Sequence, residues 1–190
     1  MPTSRPEPQR ADAQRNRERI LEAAHGAFEE SSDASLNSIA KRAGVGPGTL
    51  YRHFPTREAL ILAVYQHDVR QLVDAVPDML VKHEPLAAFR IWFERLADYI
   101  RVKHGLGEAL HTAAAQKIID DTYPPVTAAV AKLLAACETA GAIRQGLEPA
   151  DVLLLMGFLW RVSDDKQGRA QAARTLDLVL QGIRPTPIRR

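Results

Sequence analysis

The chain has 190 residues, 46% of them hydrophobic, which is enough for one large or two small domains with buried cores. A single cysteine, Cys137, excludes an intramolecular disulfide framework, and no apolar run approaches the ~20 residues of a membrane span. The formal net charge is only +2, yet all of it lies in residues 1–57, where nine Lys and Arg meet seven Asp and Glu, while residues 58–190 balance sixteen of each.

Residues 1–11 are rich in Pro, Arg and Gln, a composition that predicts a disordered arm. The arm has no apolar stretch of the kind a secretory signal requires, which with the lone cysteine points to a reducing cytoplasm. Arg5 and Arg10 could follow the phosphates of a duplex or enter its minor groove, and a solvated tail accounts for them equally well. From about Ala13, Ile20, Leu21, Ala24, Ala27 and Phe28 recur at helical spacing and predict a helix ending near Glu30. Arg15, Arg17 and Arg19 fall near its expected start. Cations there oppose the helix dipole by about a few tenths of a kcal/mol, which an external anion such as phosphate could offset.

The stretch Ser35–Arg57, SLNSIAKRAGVGPGTLYRHFPTR, reads as a helix-turn-helix. Ser35 is a good N-cap, and Leu36, Ile39, Ala40 and Ala43 form the apolar stripe of the first helix. Gly44 supplies a left-handed stop, Val45 fills the corner, and Gly46-Pro47-Gly48 opens a second helix running to about Phe54. With Leu50 and Phe54 pointing inward, the 100° step per residue puts Gly48 and Arg52 on the far side and Thr49 and Tyr51 on the flanks. From Leu36 to Arg57 the cations are Lys41, Arg42, Arg52 and Arg57, with no Asp or Glu. Such a segment meets phosphates by local charge in a protein that is not basic as a whole.

The run IAKRAGVGPGTLYRHFPTREAL resembles the DNA-binding segment of the TetR (tetracycline repressor) family of bacterial one-component regulators. The likeness rests on Ile39-Ala40, Ala43-Gly44-Val45, Gly48-Thr49-Leu50-Tyr51, His53-Phe54-Pro55 and Glu58-Ala59-Leu60. Two departures stand out. The family usually has Gly soon after the aromatic matching Phe28, where this chain has Ser31-Ser32-Asp33, and commonly has Lys where this chain has Arg57. The resemblance implies a transcriptional regulator, most often a repressor, with the start of its first helix beside DNA and an inducer cavity in its C-terminal helices. On that footing Pro47, Gly48, Thr49 and Arg52 are expected at base edges and Ser35, Tyr51, His53 and Arg57 at phosphates, with Gly46 in the same DNA-binding set.

Beyond the reader, Pro55-Thr56 ends one helix and caps the next, expected from Arg57 to Met79 and burying Ile61, Tyr65, Leu72, Val76 and Met79. A helix of that length spans about 35 Å, enough to serve as a lever into a second domain. Pro85 opens a helix carrying Phe89, Trp92, Phe93, Leu96, Tyr99 and Ile100, broken by Gly105 and Gly107. A further helix is expected from Glu108 to about Asp121, stopped by Tyr123-Pro124-Pro125, and another from Val126 to Ala140, ended by Gly141. Pro149 begins a helix through about residue 162 whose run Val152–Trp160 is apolar all round and so must be covered on every side. The last predicted helix, about Arg169–Gly182, precedes a tail at 185–190.

The expected fold is therefore all-α: an N-terminal three-helix helix-turn-helix DNA-binding domain at 12–56 and a helical-bundle ligand-binding and dimerisation domain at 57–184. Helices 149–162 and 169–182 are the expected homodimer contact, two from each chain. Two-fold symmetry would set the reader helices about 34–36 Å apart on a pseudo-palindromic operator. No nucleophile motif or phosphate loop argues for an enzyme. Glu108 and His111 share a spacing used by some metal sites, but no matching pair accompanies them, and neither metal nor cofactor is expected. Trp92, Leu96, Tyr99, His111, Met156 and Trp160 could line a pocket for a small-molecule effector, or simply fill the bundle core. A helical small-molecule or protein-binding module with a vestigial DNA head is the alternative, and the acid-free reader segment argues against it.

Overall fold

Apolar residues at helical spacing fold as helices in the computed structural model, which describes residues 7–31, 33–104, 113–160, 162–163 and 165–185, the side chains of 7–10, 98–104, 113–115, 119 and 160 excepted. The order is α1 (Glu7–Glu30), α2 (Leu36–Arg42), α3 (Pro47–His53), α4 (Arg57–Asp74), α5 (Val76–Lys82), α6 (Pro85–His104), α7 (Ala113–Thr139), α8 (Pro149–Leu155), a 3-10 turn (Met156–Trp160) and α9 (Lys166–Gly182). Among the described residues there is no strand, in agreement with the all-α expectation.

The chain divides into two compact units, Met1–His67 with Val102–Ile118, and Asp68–Arg101 with Ile119–Arg190. The expected domain boundary at Arg57 is the start of α4, whereas the division falls within that helix. The reason is packing: Leu60, Ile61, Ala63 and Val64 of α4 are buried in the core of the first unit with Ile20, Leu21, Phe28, Ile39, Leu50 and Phe54. In the second unit Trp92, Phe89 and Phe93 are fully buried with Leu133, Met156, Leu159 and Leu176. Phe89 and Trp92 each lie about one ring's width from Phe93, at centroid distances of 4.7 and 5.0 Å.

Four expectations about the helices are corrected. Helix α1 starts at Glu7, inside the segment expected to be an arm, so Arg15, Arg17 and Arg19 lie well past its first turn and the dipole argument does not reach them. The expected helix 57–79 is broken at Ala75, because Pro77 at the start of α5 has no N–H to donate and its ring crowds the carbonyl one turn earlier. Conversely, Pro124 and Pro125 do not stop a helix; both lie inside α7. Asp120 and Asp121, four residues before the two prolines, are exposed. The run expected as one helix at 149–162 is α-helical only to Leu155 and then tightens to the 3-10 turn. Within one protomer Val152, Leu153, Met156 and Leu159 are buried and Leu154 is 80% exposed.

Two ends are well explained by their residues. Gly44 takes φ +64, and the N–H groups of Gly44 and Val45 bond to the carbonyls of Lys41 and Ala40, so α2 stops in a left-handed turn that sets the angle to α3. The last helix starts at Lys166, three residues before its expected start, because the Asp165 carboxylate accepts the Gly168 N–H at 2.7 Å. Ser31 and Asp33 turn without positive φ, so the described part of the departure after Phe28 carries no left-handed strain; Ser32 lies outside the described residues.

Candidate nucleic-acid interface

The site is built on the α2–α3 pair. Ser35 caps α2, its Oγ accepting the Ser38 N–H at 3.1 Å. Gly46 caps α3 in extended conformation, Pro47 occupies the first turn, and Leu50 and Phe54 are buried beneath. Those two anchors turn the opposite side outward. Gly46, Pro47, Gly48, Tyr51 and Arg52 are exposed, and Thr49 and His53 are half-buried. A Cβ built on Gly48 would meet nothing within 4 Å, so the interior of the protein makes no demand for glycine there.

Arg52 folds back along its own helix. Its Nε donates to the Gly48 carbonyl at 3.2 Å and its Nη2 to Thr49 Oγ1 at 3.1 Å. His53 lies behind it. Partial burial, together with the positive charges of Arg17 and Arg52, holds the imidazole below its ordinary pKa. Arg17 reaches this place from α1, its guanidinium 5.5 Å from the centre of the Phe54 ring. The end of the reader helix thus carries three groups able to bear positive charge and, across α2 and α3, no acid.

Arg57 is engaged within the reader unit. It donates to the Ala34 carbonyl and lies over the Phe28 ring, 5.1 Å from its centre. It ties α4 to the end of α1 and to the loop before α2 and is half-buried, so its role as a phosphate contact gains no support from the geometry. Sequence reasoning put Arg17 near a helix start facing an external anion and missed its place against Phe54 and His53. The signal was present: Arg17 shares the helical stripe of Ile20, Leu21 and Ala24, and a cation on an apolar stripe needs a partner. Arg19 likewise donates to the Gly44 carbonyl at 3.4 Å, and Arg42 pairs with Glu30 at 2.8 Å. The N-terminal cations therefore brace the reader unit.

Of the expected pocket residues, Trp92, Leu96 and Met156 are buried in the second core, and the Trp92 indole donates to the Leu72 carbonyl at 2.9 Å. Tyr99, His111 and Trp160, with Arg5, Arg10 and Glu108, have no described side chains. A shallow recess of about 170 Å³ lies elsewhere in the second unit, between Glu94 and Ala97 of α6, Leu159, and Arg169, Ala172 and Leu176 of α9.

Two family models match the chain. Residues 20–64 match the bacterial regulatory proteins of the tetR family, and residues 84–185 match the C-terminal domain of SbtR-like transcriptional regulators. The chain belongs to the TetR family. Among solved structures, a TetR transcriptional regulator from Streptomyces coelicolor is 42% identical, covering 90% of this chain and 99% of that one with a TM-score of 0.79. A TetR transcription regulatory protein from Mycobacterium vanbaalenii is 31% identical over 93% of this chain and 99% of that one, with a TM-score of 0.73. An HTH-type transcriptional regulator of Staphylococcus aureus (strain USA300) is 48% identical over 62 residues, which span 32% of this chain and only 34% of that protein. This TetR-family regulator is thus related to the solved structures along most of its length. No described helix is long and apolar enough to cross a membrane.

Proposed function

We propose that the chain acts in the cytoplasm as a homodimeric repressor that sets two copies of α3 against successive major grooves of a pseudo-palindromic operator. The observation that carries this reading is the outward face of α3. It is bare at Gly48, cationic at Arg52, free of carboxylates, and held rigidly by Leu50 and Phe54. In this arrangement the backbone at Pro47 and Gly48 approaches the groove floor, with Thr49 and Arg52 beside it. Tyr51, His53 and the Ser35 hydroxyl meet phosphates on either side.

Dimerisation through α8 and α9 is supported by three leucines with large exposure, Leu154 at 80%, Leu155 at 53% and Leu178 at 67%. Helix α4 begins in the reader unit and ends in the bundle unit, which suits it to carry a ligand signal between them. A small molecule bound in the bundle would release the operator only by favouring the non-binding arrangement, at about 1–3 kcal/mol of coupling.

Gel shift of the purified protein on the DNA upstream of its own gene tests the reading. Retardation at low salt that weakens steeply with added salt is the expected result. A folded dimer that shifts no fragment would instead favour a binding module with a vestigial DNA head. Sedimentation of Leu154→Glu with Leu178→Glu tests the dimer contact, the expected outcome being a folded monomer.

A further inference from the structure

We infer that Arg52 reads a guanine in each operator half-site, and that Thr49 serves to hold the Arg52 fork in place instead of reading a base itself. The inference rests on the DNA-binding reading above and names the base that this face selects.

The argument starts from the five N–H groups of a guanidinium, which lie in one plane along two usable edges. The side edge consists of Nε–H and one Nη2–H. In this protein both donors on that edge are taken by α3 itself, Nε by the Gly48 carbonyl at 3.2 Å and Nη2 by Thr49 Oγ1 at 3.1 Å. What remains for an outside acceptor is the end edge, one N–H on Nη1 and one on Nη2. Two parallel donors at that separation match the O6 and N7 acceptors of guanine in the major groove.

The location favours a base over a phosphate. Arg52 is exposed on the same side of α3 as Gly48, where no side chain intervenes and a Cβ would meet nothing within 4 Å. This is the face farthest from Leu50 and Phe54, and hence the one nearest the groove floor. No carboxylate on α2 or α3 competes for the fork.

The side-chain inventory of α3 narrows the choice further. Bidentate reading of adenine uses Asn or Gln, and reading of the cytosine amino group uses Asp or Glu. Helix α3, PGTLYRH, has none of these. Arginine on guanine is the one bidentate base pairing open to it. Holding the fork in advance removes rotamer freedom that would otherwise be lost on binding, which is why Thr49 matters without touching the base.

Selection of bound duplexes from a randomised library with the full-length protein, followed by binding measurements on the consensus, tests the inference. The expected consensus is a pseudo-palindrome with an invariant guanine in each half. Arg52→Ala should lose discrimination at that guanine by roughly five- to hundred-fold, with little change at other positions. Replacing the guanine by 7-deazaguanine, which lacks the N7 acceptor, should weaken the wild type and leave Arg52→Ala unaffected. Thr49→Val should lower guanine discrimination several-fold, and Thr49→Ser should restore it. Arg52→Lys keeps the charge but not the fork and should not restore it. A palindromic consensus without guanine overturns the inference alone. So does an Arg52→Ala loss that is equal on all sequences and accompanied by a smaller salt slope. Thr49→Val with full discrimination removes the role given to Thr49. Failure of the wild type to enrich any sequence overturns the DNA-binding reading together with the inference.

Discussion

Gly48 and Gly168 divide the molecule into a region that answers to its own interior and a region that does not. In the bundle unit, a Cβ on Gly168 would come within 2.0 Å of the Ser163 carbonyl oxygen, so the loop closing onto α9 admits glycine alone. In the reader unit, a Cβ on Gly48 would meet nothing within 4 Å, and its helical position would favour alanine. The same contrast runs through the polar groups. The Trp92 indole is fully buried and bonded to the Leu72 carbonyl, whereas Tyr51 stands 46% exposed on α3. Gly168 and Trp92 are explained from inside the chain, while the outward face of α3 requires something outside it.

The comparison breaks most visibly if the bundle core proves soft. Trp92→Ala empties a fully buried site beside Phe93 and leaves a buried carbonyl without its donor, and should cost about 3–5 kcal/mol of unfolding free energy. Chemical denaturation followed by far-UV circular dichroism measures this; a loss below about 1 kcal/mol would mean that the core relaxes around the cavity. Gly168→Ala should cost about 1–3 kcal/mol, because backbone and not a pliable side chain must move. An unchanged melting temperature would show that the Ser163 loop yields freely.

Gly48→Ala sharpens the comparison from the other side. Glycine inside a helix costs about 1 kcal/mol relative to alanine, so the variant should be as stable as the parent or somewhat more so. Its operator affinity should fall about tenfold or more, as the added methyl holds the α3 backbone away from the groove. Thermal melts and gel shifts on the same preparation separate the two effects. Unaltered binding would place the groove floor elsewhere than Gly48.

The same division explains what was legible in the sequence. Leu36, Ile39, Ala40 and Ala43 mark α2 because a helix half-covered by core repeats its apolar residues, and Ser35, Gly44 and Thr56 are identifiable because caps depend on local backbone alone. The Thr56 hydroxyl accepts the Ala59 N–H at 3.1 Å, as its position before α4 suggests. What could not be read depends on surroundings. Pro77 lies where one helix gives way to the next and Pro124-Pro125 lies inside a helix, and residue type alone does not separate the two cases. Trp92, Leu96 and Met156 have the composition of a pocket lining, but only packing decides whether aromatic surface faces a cavity or a core. Arg57 looks like the cation of a DNA contact, and its use on Ala34 and Phe28 depends on how α1 and α4 meet. Cys137 is the easier case: a lone cysteine among aliphatic residues is buried, and burial raises its thiol pKa to about 11.

The smallest expected effect concerns His53, where interior and exterior meet. Burial, Arg17 and Arg52 all lower its pKa, so in the free protein it stays neutral below the ordinary value of 6.5. Because the folded value is the lower one, the neutral imidazole favours the folded state above the unfolded pKa. That contribution is lost as pH falls through the folded value. Arg17→Gln removes one of the two cations and should move the His53 titration, followed by NMR of the imidazole protons, upward toward 6.5. No movement would mean that the guanidinium over Phe54 is screened from the imidazole. A phosphate facing His53 would act in the opposite sense to the arginines and raise its pKa in the complex. Proton uptake would then accompany binding, and operator affinity should increase modestly as the pH is lowered from about 7.5 to 6. Substitution of His53 by Gln should flatten that dependence, and a profile identical in both proteins would remove His53 from the phosphate contacts.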